Sequence, residues 1–290
     1  MMYSLIISMR PKQWVKNLFV FAALVFGERL NDPASLLKVS LGFVLFCLIA
    51  GSGYLINDII DQKKDALHPL KSKRPIVSGV LKKRECIIFV FLFIIASISS
   101  SFFINYNFSL CLVSYLLLSL LYSFFLKNIV IIDILSLSFG FVIRVIAGAF
   151  AIGVSISLWL LICTMLIALF LILSKRRHEL VLLESDASLH REILSEYSLS
   201  FIDEMISAIT GAAIIAYSLY AFQVRDKFGE YFPLTIPFVL YGVFRYLYLV
   251  HQKGRGGSPE IDITQDKPLM VNLFLWIISV LLIIYGRRYL

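Results

Sequence analysis

Four oxygen-bearing side chains near residue 60 have the types and the spacing of a metal site. Asn57, Asp61 and Asp65 recur at every fourth residue, so in a helix they share one face, with Asp58 on its flank. Carboxylate and amide oxygens are the ligands that Mg²⁺ prefers, and substrate phosphates usually complete its coordination. This acidic row (Asn57, Asp58, Asp61 and Asp65) therefore predicts a magnesium site, with Asp58, Asp61 and Asp65 as catalytic residues.

A second interpretation of the acidic row is a solvated helix end, whose carboxylates pair with the neighbouring Lys63 and Lys64. Charged groups at a bilayer boundary are costly, and carboxylates on one helix face repel one another. A bound metal ion relieves both costs, so the metal site is the favoured interpretation.

Basic residues form separate groups that could bind the phosphates of a substrate. Arg binds a phosphate through two parallel hydrogen bonds, and Lys binds it as a point charge. The loop from His68 to Arg74 could also close over a substrate and exclude water. Attraction to anionic lipid headgroups is the alternative role, and for Lys12 and Lys16 the sequence does not separate the two. The candidate substrate-binding residues in these groups are Lys12, Lys16, Lys71, Arg74, Lys127, Lys175, Arg176 and Arg177.

Arg144 lies inside a long apolar run, where an unpaired guanidinium would cost several kcal/mol. Asp133 is in the same run, but in a helix it would be about 16 Å away and therefore out of reach. We expect Arg144 to face a cavity and bind substrate. The alternative is a structural pair with a residue of another helix.

The composition shows what kind of protein must position these residues. Of the 290 residues, 59% are hydrophobic and 16% are charged, against about 25% charged in soluble domains. A mean hydropathy of +0.86 leaves too few polar residues to cover a soluble core, which excludes a water-soluble globular enzyme. The net charge of +8 is concentrated in short loops between apolar runs, which favours a membrane orientation signal over nucleic-acid binding. The four cysteines have no C-x-x-C spacing and predict neither disulfides nor a zinc site.

Nine apolar runs approach the length of about 20 residues that a helix needs to cross a bilayer. The first is the weakest, because it contains Lys16, Glu28 and Arg29 and could lie partly in the interface. The sequence thus predicts an all-α polytopic membrane protein, with residues 1–290 forming a single integral membrane domain. The runs cover residues 14–29, 38–60, 86–105, 108–126, 129–151, 156–174, 204–224, 231–251 and 269–287.

The loops on one side of these runs carry 19 basic residues, and those on the other side carry 6. By the positive-inside rule, the basic side is cytoplasmic. This predicts a protein of the cytoplasmic (inner) membrane, surrounded by membrane lipids, with its N-terminus and its active site on the cytoplasmic side. The sequence leaves open whether the chain forms a homo-oligomer.

The pattern Asn57-Asp58-x-x-Asp61-x-x-x-Asp65 resembles the first aspartate-rich motif of the UbiA superfamily of intramembrane prenyltransferases. The resemblance implies nine transmembrane helices around a central cavity open to the cytoplasm, with Mg²⁺ as cofactor. It also adds Tyr122 to the candidate substrate-binding residues. The other segments that carry it are Arg10-Pro11-Lys12-Gln13-Trp14-Val15-Lys16-Asn17, His68-Pro69-x-Lys71-x-x-Arg74-Pro75-Ile76, Tyr122-Ser123-Phe124-x-Leu126-Lys127, Gly140-Phe141-x-Ile143-Arg144-x-Ile146-Ala147-Gly148, Lys175-Arg176-x-x-Glu179-Leu180, and Arg245-Tyr246 followed by Pro259-Glu260.

One departure from the superfamily concerns the substrate. Many members have a second aspartate-rich motif after the sixth span, where this chain has Lys175-Arg176-Arg177-His178-Glu179. Cations there suit a further phosphate on the substrate, and Glu179 could still bind substrate or metal. The alternative role of these cations is to anchor the end of the span.

The closer resemblance is to members that transfer 5-phosphoribose from phosphoribosyl pyrophosphate to a polyprenyl phosphate. It implies these two molecules as substrates, pyrophosphate as the second product, and a role in making cell-envelope polysaccharide precursors. A prenyltransferase that moves an isoprenoid from its diphosphate to an aromatic or other small acceptor is the alternative, although it usually needs the second acidic motif. A transporter would distribute charges through the membrane depth, whereas the acids here cluster at one depth.

Overall fold

The computed structural model describes residues 2–66, 71–185 and 192–286. Every regular element in these ranges is a helix, which confirms the all-α prediction. The helices group into two compact units, Met1–Ser155 and Ile156–Leu290. The single domain over residues 1–290 stays a prediction.

The first unit contains seven α-helices in its described residues, and 3₁₀ helices join several of them. The α-helices are α1 (Met2–Ser8), α2 (Ala22–Phe26), α3 (Pro33–Ile60), α4 (Gln62–Asp65), α5 (Lys83–Ser101), α6 (Tyr106–Phe124) and α7 (Ile132–Ile152). The 3₁₀ helices are Pro11–Phe21, Lys71–Lys73 and Leu126–Asn128.

The second unit contains six α-helices in its described residues. They are α8 (Leu158–Ser185), α9 (Leu199–Gln223), α10 (Arg225–Phe228), α11 (Ile236–Gln252), α12 (Pro259–Gln265) and α13 (Lys267–Gly286). Its 3₁₀ helices are Glu192–Glu196 and Phe232–Thr235. The hydroxyl of Tyr217 on α9 bonds to Thr235 and accepts a hydrogen bond from the indole of Trp276 on α13, which ties these elements together.

Eight helices of the described ranges are long and apolar enough to cross a membrane. They coincide with the second to the ninth predicted runs, with ends that differ by at most five residues except at Leu182, which lies eight residues beyond the predicted end at 174. The eight are Pro33–Ile60, Lys83–Ser101, Tyr106–Phe124, Ile132–Ile152, Leu158–Leu182, Leu199–Gln223, Phe232–Gln252 and Lys267–Gly286.

The first predicted run, 14–29, is not one continuous α-helix. A 3₁₀ helix covers Pro11–Phe21, α2 follows directly, and Glu28 with its positive φ of 57° lies just beyond the end of α2. The side chains of Val20 and Leu24 are fully buried in the core that α3, α6 and α7 also form. The segment is therefore packed within the first unit.

Gly148 on α7 allows this close packing. An added Cβ would lie 2.0 Å from the carbonyl oxygen of Val20, a distance that real Cβ atoms essentially never show. Only glycine permits the backbone of the 3₁₀ helix to approach α7 so closely. This contact fixes the position of the segment that carries Arg10 and Asn17.

A local cap fixes where α3 begins. Asp32 precedes Pro33, and its carboxylate accepts hydrogen bonds from the Ala34 backbone N–H at 3.2 Å and the Ser35 hydroxyl at 2.6 Å. These bonds hold the pKa of Asp32 below its usual range. With 28 residues, α3 is about 42 Å long, which exceeds the roughly 30 Å of a bilayer core.

Candidate active site

The acidic row lies at the junction of α3 and α4. Asn57 and Asp58 are in the last turn of α3, Asp61 is its C-cap, and Asp65 ends α4. Hydrogen bonds from Asp61 N to Asn57 O (2.9 Å) and from Asp65 N to Asp61 O (2.8 Å) continue the helical pattern through the junction. Asn57, Asp61 and Asp65 therefore follow one another at the predicted helical spacing, although α3 itself ends at Ile60.

Asp58 is the most deeply buried acid of the row, with its side chain 1% exposed. Its Oδ1 accepts hydrogen bonds from Arg10 Nη2 at 2.5 Å and from Arg74 Nη1 at 3.0 Å. Arg74 Nη1 also forms an ion pair with Asp65 Oδ2. Two carboxylates of the row thus converge on one nitrogen atom.

Asp61 has a different partner. Lys127, in the 3₁₀ helix after α6, places its Nζ 2.8 Å and 3.1 Å from the two carboxylate oxygens of Asp61. Among the described residues, no three Asp, Glu, His or Cys side chains converge as a metal cluster. Asp58 and Asp65 share Arg74 as a partner, whereas Asp61 pairs with Lys127.

A pocket of about 300 Å³ opens beside Asp58. Three of its lining residues carry positive charge and one carries negative charge, so the pocket suits an anion. Its volume lies at the lower end of the range for ligand sites. The polar lining residues are Ser8, Arg10, Asp58, Lys73 and Arg74, and Ile7 and Pro75 complete the wall.

Arg10 is placed by the turn between α1 and the 3₁₀ helix Pro11–Phe21. Its backbone adopts the left-handed region (φ 54°), and the indole N–H of Trp14 donates to the carbonyl of Met9 at 3.2 Å. The guanidinium lies 4.7 Å from the centre of the Tyr54 ring, a cation–π contact. These contacts place the guanidinium of Arg10 beside Asp58, which is 48 residues away in the sequence.

Arg74 is placed by an anchored loop. Ile76 and Leu81 are each 1% exposed and belong to an apolar cluster with residues of α1, α3 and α5. Gln62 on α4 donates to the carbonyl of Ile76 at 3.2 Å, and Leu81 N donates to Pro75 O at 2.9 Å. The loop therefore holds Arg74 over the acidic row by its own buried contacts.

Arg144 is buried, and the hydrogen bonds it donates go to neutral partners. Its Nε donates to Asn17 Oδ1 (2.7 Å), Nη1 to Gly140 O (2.8 Å) and Nη2 to Tyr115 OH (2.7 Å). The guanidinium also lies 4.5 Å from the centre of the Tyr115 ring. These contacts, which join α7 to α6 and to the 3₁₀ helix Pro11–Phe21, favour the structural alternative for Arg144.

In the second unit, the basic group on α8 is engaged by carboxylates. Arg176 is buried and donates to Glu179 Oε2 at 2.6 Å, one turn along the same helix. Arg177 binds Asp203 on α9 through Nε at 2.7 Å and Nη2 at 3.5 Å. The third basic residue of the group, Lys175, is exposed.

A further ion pair of this unit joins α11 to the residue just before α13. Arg245 donates to both oxygens of Asp266, at 3.1 and 2.9 Å. This pair, with a further hydrogen bond from the Leu269 backbone N–H, holds the pKa of the Asp266 carboxyl below its usual range although burial acts in the opposite direction. The sequence alone predicts no partner for Arg245.

The remaining candidate residues differ in their exposure. Lys12 is exposed, and Lys16 and Tyr122 are half-buried. The side chain of Lys71 and the residues His68 and Pro69 lie outside the described part of the chain.

Sequence reasoning missed Arg10, Lys73 and Asp203. In the sequence, Arg10 stands only as part of the N-terminal motif, although its place directly before Pro11 and the first apolar run is an available signal. Asp203 carried no motif, and its pairing with Arg177 depends on how α8 and α9 pack.

Residues 17–260 match the model of the UbiA prenyltransferase family. The chain belongs to this family. The eight apolar helices in its described residues, together with its UbiA membership, make it an integral membrane protein and a transferase.

Two curated relatives align with nearly all of this UbiA family member. The decaprenyl-phosphate phosphoribosyltransferase of Mycobacterium tuberculosis is 33% identical over 278 residues, which cover 94% of this chain and 91% of the relative. The protein of the same name from Mycolicibacterium smegmatis is 34% identical and covers 94% and 90% of the two chains.

A solved structure shows the same fold. The UbiA homolog from Archaeoglobus fulgidus bound to GPP and Mg²⁺ superposes with a TM-score of 0.76 at 18% identity. The match covers 97% of this chain and 99% of that chain. The all-helical UbiA fold that the resemblance implies is thus confirmed.

Proposed function

We propose that the chain transfers 5-phosphoribose from phosphoribosyl pyrophosphate to a polyprenyl phosphate and releases pyrophosphate. The observation that carries this proposal is the 33% identity, over 94% of the chain, to a decaprenyl-phosphate phosphoribosyltransferase. The basic pocket beside Asp58 supports it, because a diphosphate is the leaving group of such a donor. The lipid product would serve as a precursor of cell-envelope polysaccharide.

The acidic row fits Mg²⁺ as cofactor. Mg²⁺ is usually bound through one or two carboxylates together with substrate phosphates. Asp58 and Asp65 already converge on one cationic atom, Arg74 Nη1. We propose that Asn57, Asp58, Asp61 and Asp65 hold the metal. When bound there, it would neutralise charge on the leaving pyrophosphate.

In the transfer, the bond between ribose C1 and a pyrophosphate oxygen breaks, and an oxygen of the polyprenyl phosphate bonds to C1. The pyrophosphate leaves with the bonding electron pair, so the positive charges of Arg10, Lys73 and Arg74 stabilise it. The acceptor phosphate is ionised at neutral pH, so no residue has to remove a proton from it.

Holding two anionic substrates together needs further positive charge. We propose that Arg176 and Arg177 bind the 5-phosphate of the donor by exchanging Glu179 and Asp203 for phosphate oxygens. The other residues proposed to contact substrate are Lys12, Lys16, Lys71, Tyr122, Lys127, Lys175 and Glu179.

The membrane arrangement is part of the proposal. The 3₁₀ helix Pro11–Phe21 and α2 comprise 16 residues. At about 2.0 Å per residue in the 3₁₀ part and 1.5 Å in α2 they extend roughly 30 Å, enough for a ninth crossing. With nine crossings, the basic loops and the N-terminus lie on the cytoplasmic side. The cavity open to the cytoplasm stays a prediction.

The test is a label-transfer assay on the purified protein in nanodiscs. Phosphoribosyl pyrophosphate labelled in the ribose is incubated with undecaprenyl phosphate and Mg²⁺, and the lipid extract is counted with and without EDTA. Label in the lipid that depends on Mg²⁺ is expected. Absence of label from folded protein contradicts the proposal and favours isoprenyl transfer from a diphosphate, which labelled geranyl diphosphate would show in the same nanodiscs.

A further inference from the structure

Asp58 is neutralised by two guanidinium groups from distant parts of the first unit. Arg10 Nη2 and Arg74 Nη1 lie 2.5 Å and 3.0 Å from the same oxygen, Oδ1. Because Arg74 Nη1 also contacts Asp65 Oδ2, it occupies the position between the two carboxylates. A metal ion held by Asp58 and Asp65 would require that position.

A divalent cation arriving alone meets an unfavourable exchange. It would break the charge-assisted hydrogen bonds of Arg10 and Arg74 and leave two guanidinium groups beside a doubly charged ion. Both arginines would then lack a counter-ion. As long as the two arginines have no other anion to bind, the ion pairs therefore oppose binding of the free metal.

An anion that binds together with the metal removes this electrostatic cost, because it gives the two arginines a new partner. Arg10 and Arg74, together with Lys73, line the pocket beside Asp58. The side chains of Arg10 and Arg74 are 29% and 25% exposed, so they can turn toward the pocket, whereas Asp58 is 1% exposed and stays in place. A guanidinium binds phosphate oxygens in the same bidentate way as carboxylate oxygens.

We propose that Arg10 and Arg74 are exchangeable counter-ions of Asp58 and Asp65, so that this site takes up a divalent metal only together with a diphosphate group. Arg10 thereby becomes a residue that couples the two ligands. The inference rests on the proposed function, since it takes the pyrophosphate of the donor to be the anion. It adds an order of binding in which the metal does not precede the donor.

The test measures metal binding without turnover. The protein in nanodiscs is dialysed to equilibrium against Mn²⁺ with and without methylene diphosphonate, and bound metal is compared at equal free Mn²⁺. Wild-type affinity for Mn²⁺ is expected to rise at least about tenfold when the diphosphonate is present. Arg74→Gln is expected to bind Mn²⁺ alone at least about tenfold more tightly than the wild type, and the diphosphonate more weakly.

Two further variants serve as controls. Arg84→Gln removes an exposed arginine of the same unit outside the pocket, and it should behave as the wild type. Arg10→Gln leaves Arg74 between the carboxylates. It should raise the affinity for Mn²⁺ alone and lower the affinity for the diphosphonate, as Arg74→Gln does. It therefore tests the inference if Arg74→Gln does not fold.

Equal affinity of the wild type for Mn²⁺ with and without diphosphonate would overturn the inference. So would folded Arg74→Gln and Arg10→Gln proteins that bind Mn²⁺ alone no better than the wild type. Phosphoribosyl transfer without this coupling refutes the inference and leaves the proposed function standing. Coupling without phosphoribosyl transfer refutes the proposed function and leaves the exchange of counter-ions standing.

Discussion

Replacing Gly148 with Ala tests how closely the 3₁₀ helix Pro11–Phe21 packs on α7. The added Cβ would lie 2.0 Å from Val20 O and 2.9 Å from Val20 C, whereas ordinary van der Waals contact begins at 3.4 Å. Moving from 2.0 to 3.4 Å requires the two backbones to separate by about 1.4 Å. The obstructing atoms belong to the backbone, so no side-chain rotation can relieve the clash.

Two energy terms of opposite sign follow from this substitution. Overpacking costs about 1–3 kcal/mol, and a backbone clash belongs in the upper half of that range. Replacing Gly with Ala inside a helix contributes roughly 0.5–1 kcal/mol in the other direction. The clash therefore dominates, and we expect Gly148→Ala to lower the free energy of unfolding by about 1–2.5 kcal/mol.

The assay is equilibrium unfolding by SDS in mixed micelles, followed by tryptophan fluorescence. Gly211→Ala on α9 is the matched control, because a Cβ there has nothing within 4 Å. It should leave stability unchanged or raise it by up to about 1 kcal/mol. Gly148→Ala should also lower turnover, since the displaced segment carries Arg10. A Gly148→Ala protein as stable as the wild type, or shifted like Gly211→Ala, would refute the close packing.

Three further predictions concern charged residues. Asp58→Asn should abolish label transfer while circular dichroism shows a folded protein, and substantial activity would remove the metal-site proposal. Arg176→Ala and Arg177→Ala should each raise the KM for phosphoribosyl pyrophosphate about tenfold, and more than the KM for the lipid, so equal losses argue against their role. Acid should destabilise the wild type more than Arg245→Gln. The lowered pKa of Asp266 gives stability that is present above the ordinary value of about 3.9 and is lost as pH falls through the lowered value. Identical pH dependence of unfolding in both proteins would contradict this assignment.

The acidic row shows which part of a site local spacing can predict. Its helical register follows from a period of four residues, and the backbone hydrogen bonds through Asp61 have that period. The partners of its carboxylates do not follow from spacing. Arg10 is 48 residues from Asp58, and Lys127 is 66 residues from Asp61. Such pairings depend on how helices pack, and a single sequence does not encode that locally.

Hydropathy predicted the eight long helices because each needs a continuous apolar stretch to cross a bilayer. It did not predict the shape of the first run, whose 3₁₀ geometry accompanies a backbone contact with α7 that only Gly148 permits. For Arg144, the cost of burial correctly required partners. Their identity was missed, because Asn17 lies 127 residues away and is neutral.

Mass spectrometry of the lipid product tests phosphoribosyl transfer most directly. The protein in nanodiscs is given Mg²⁺, undecaprenyl phosphate and phosphoribosyl pyrophosphate carrying ¹³C in the ribose, and the lipid extract is analysed for new species. We expect one new lipid that contains undecaprenyl phosphate joined to a ¹³C-labelled phosphoribosyl group, with an equal amount of pyrophosphate released. Unchanged undecaprenyl phosphate in the presence of folded protein, or a new lipid without ¹³C, would contradict the proposed reaction.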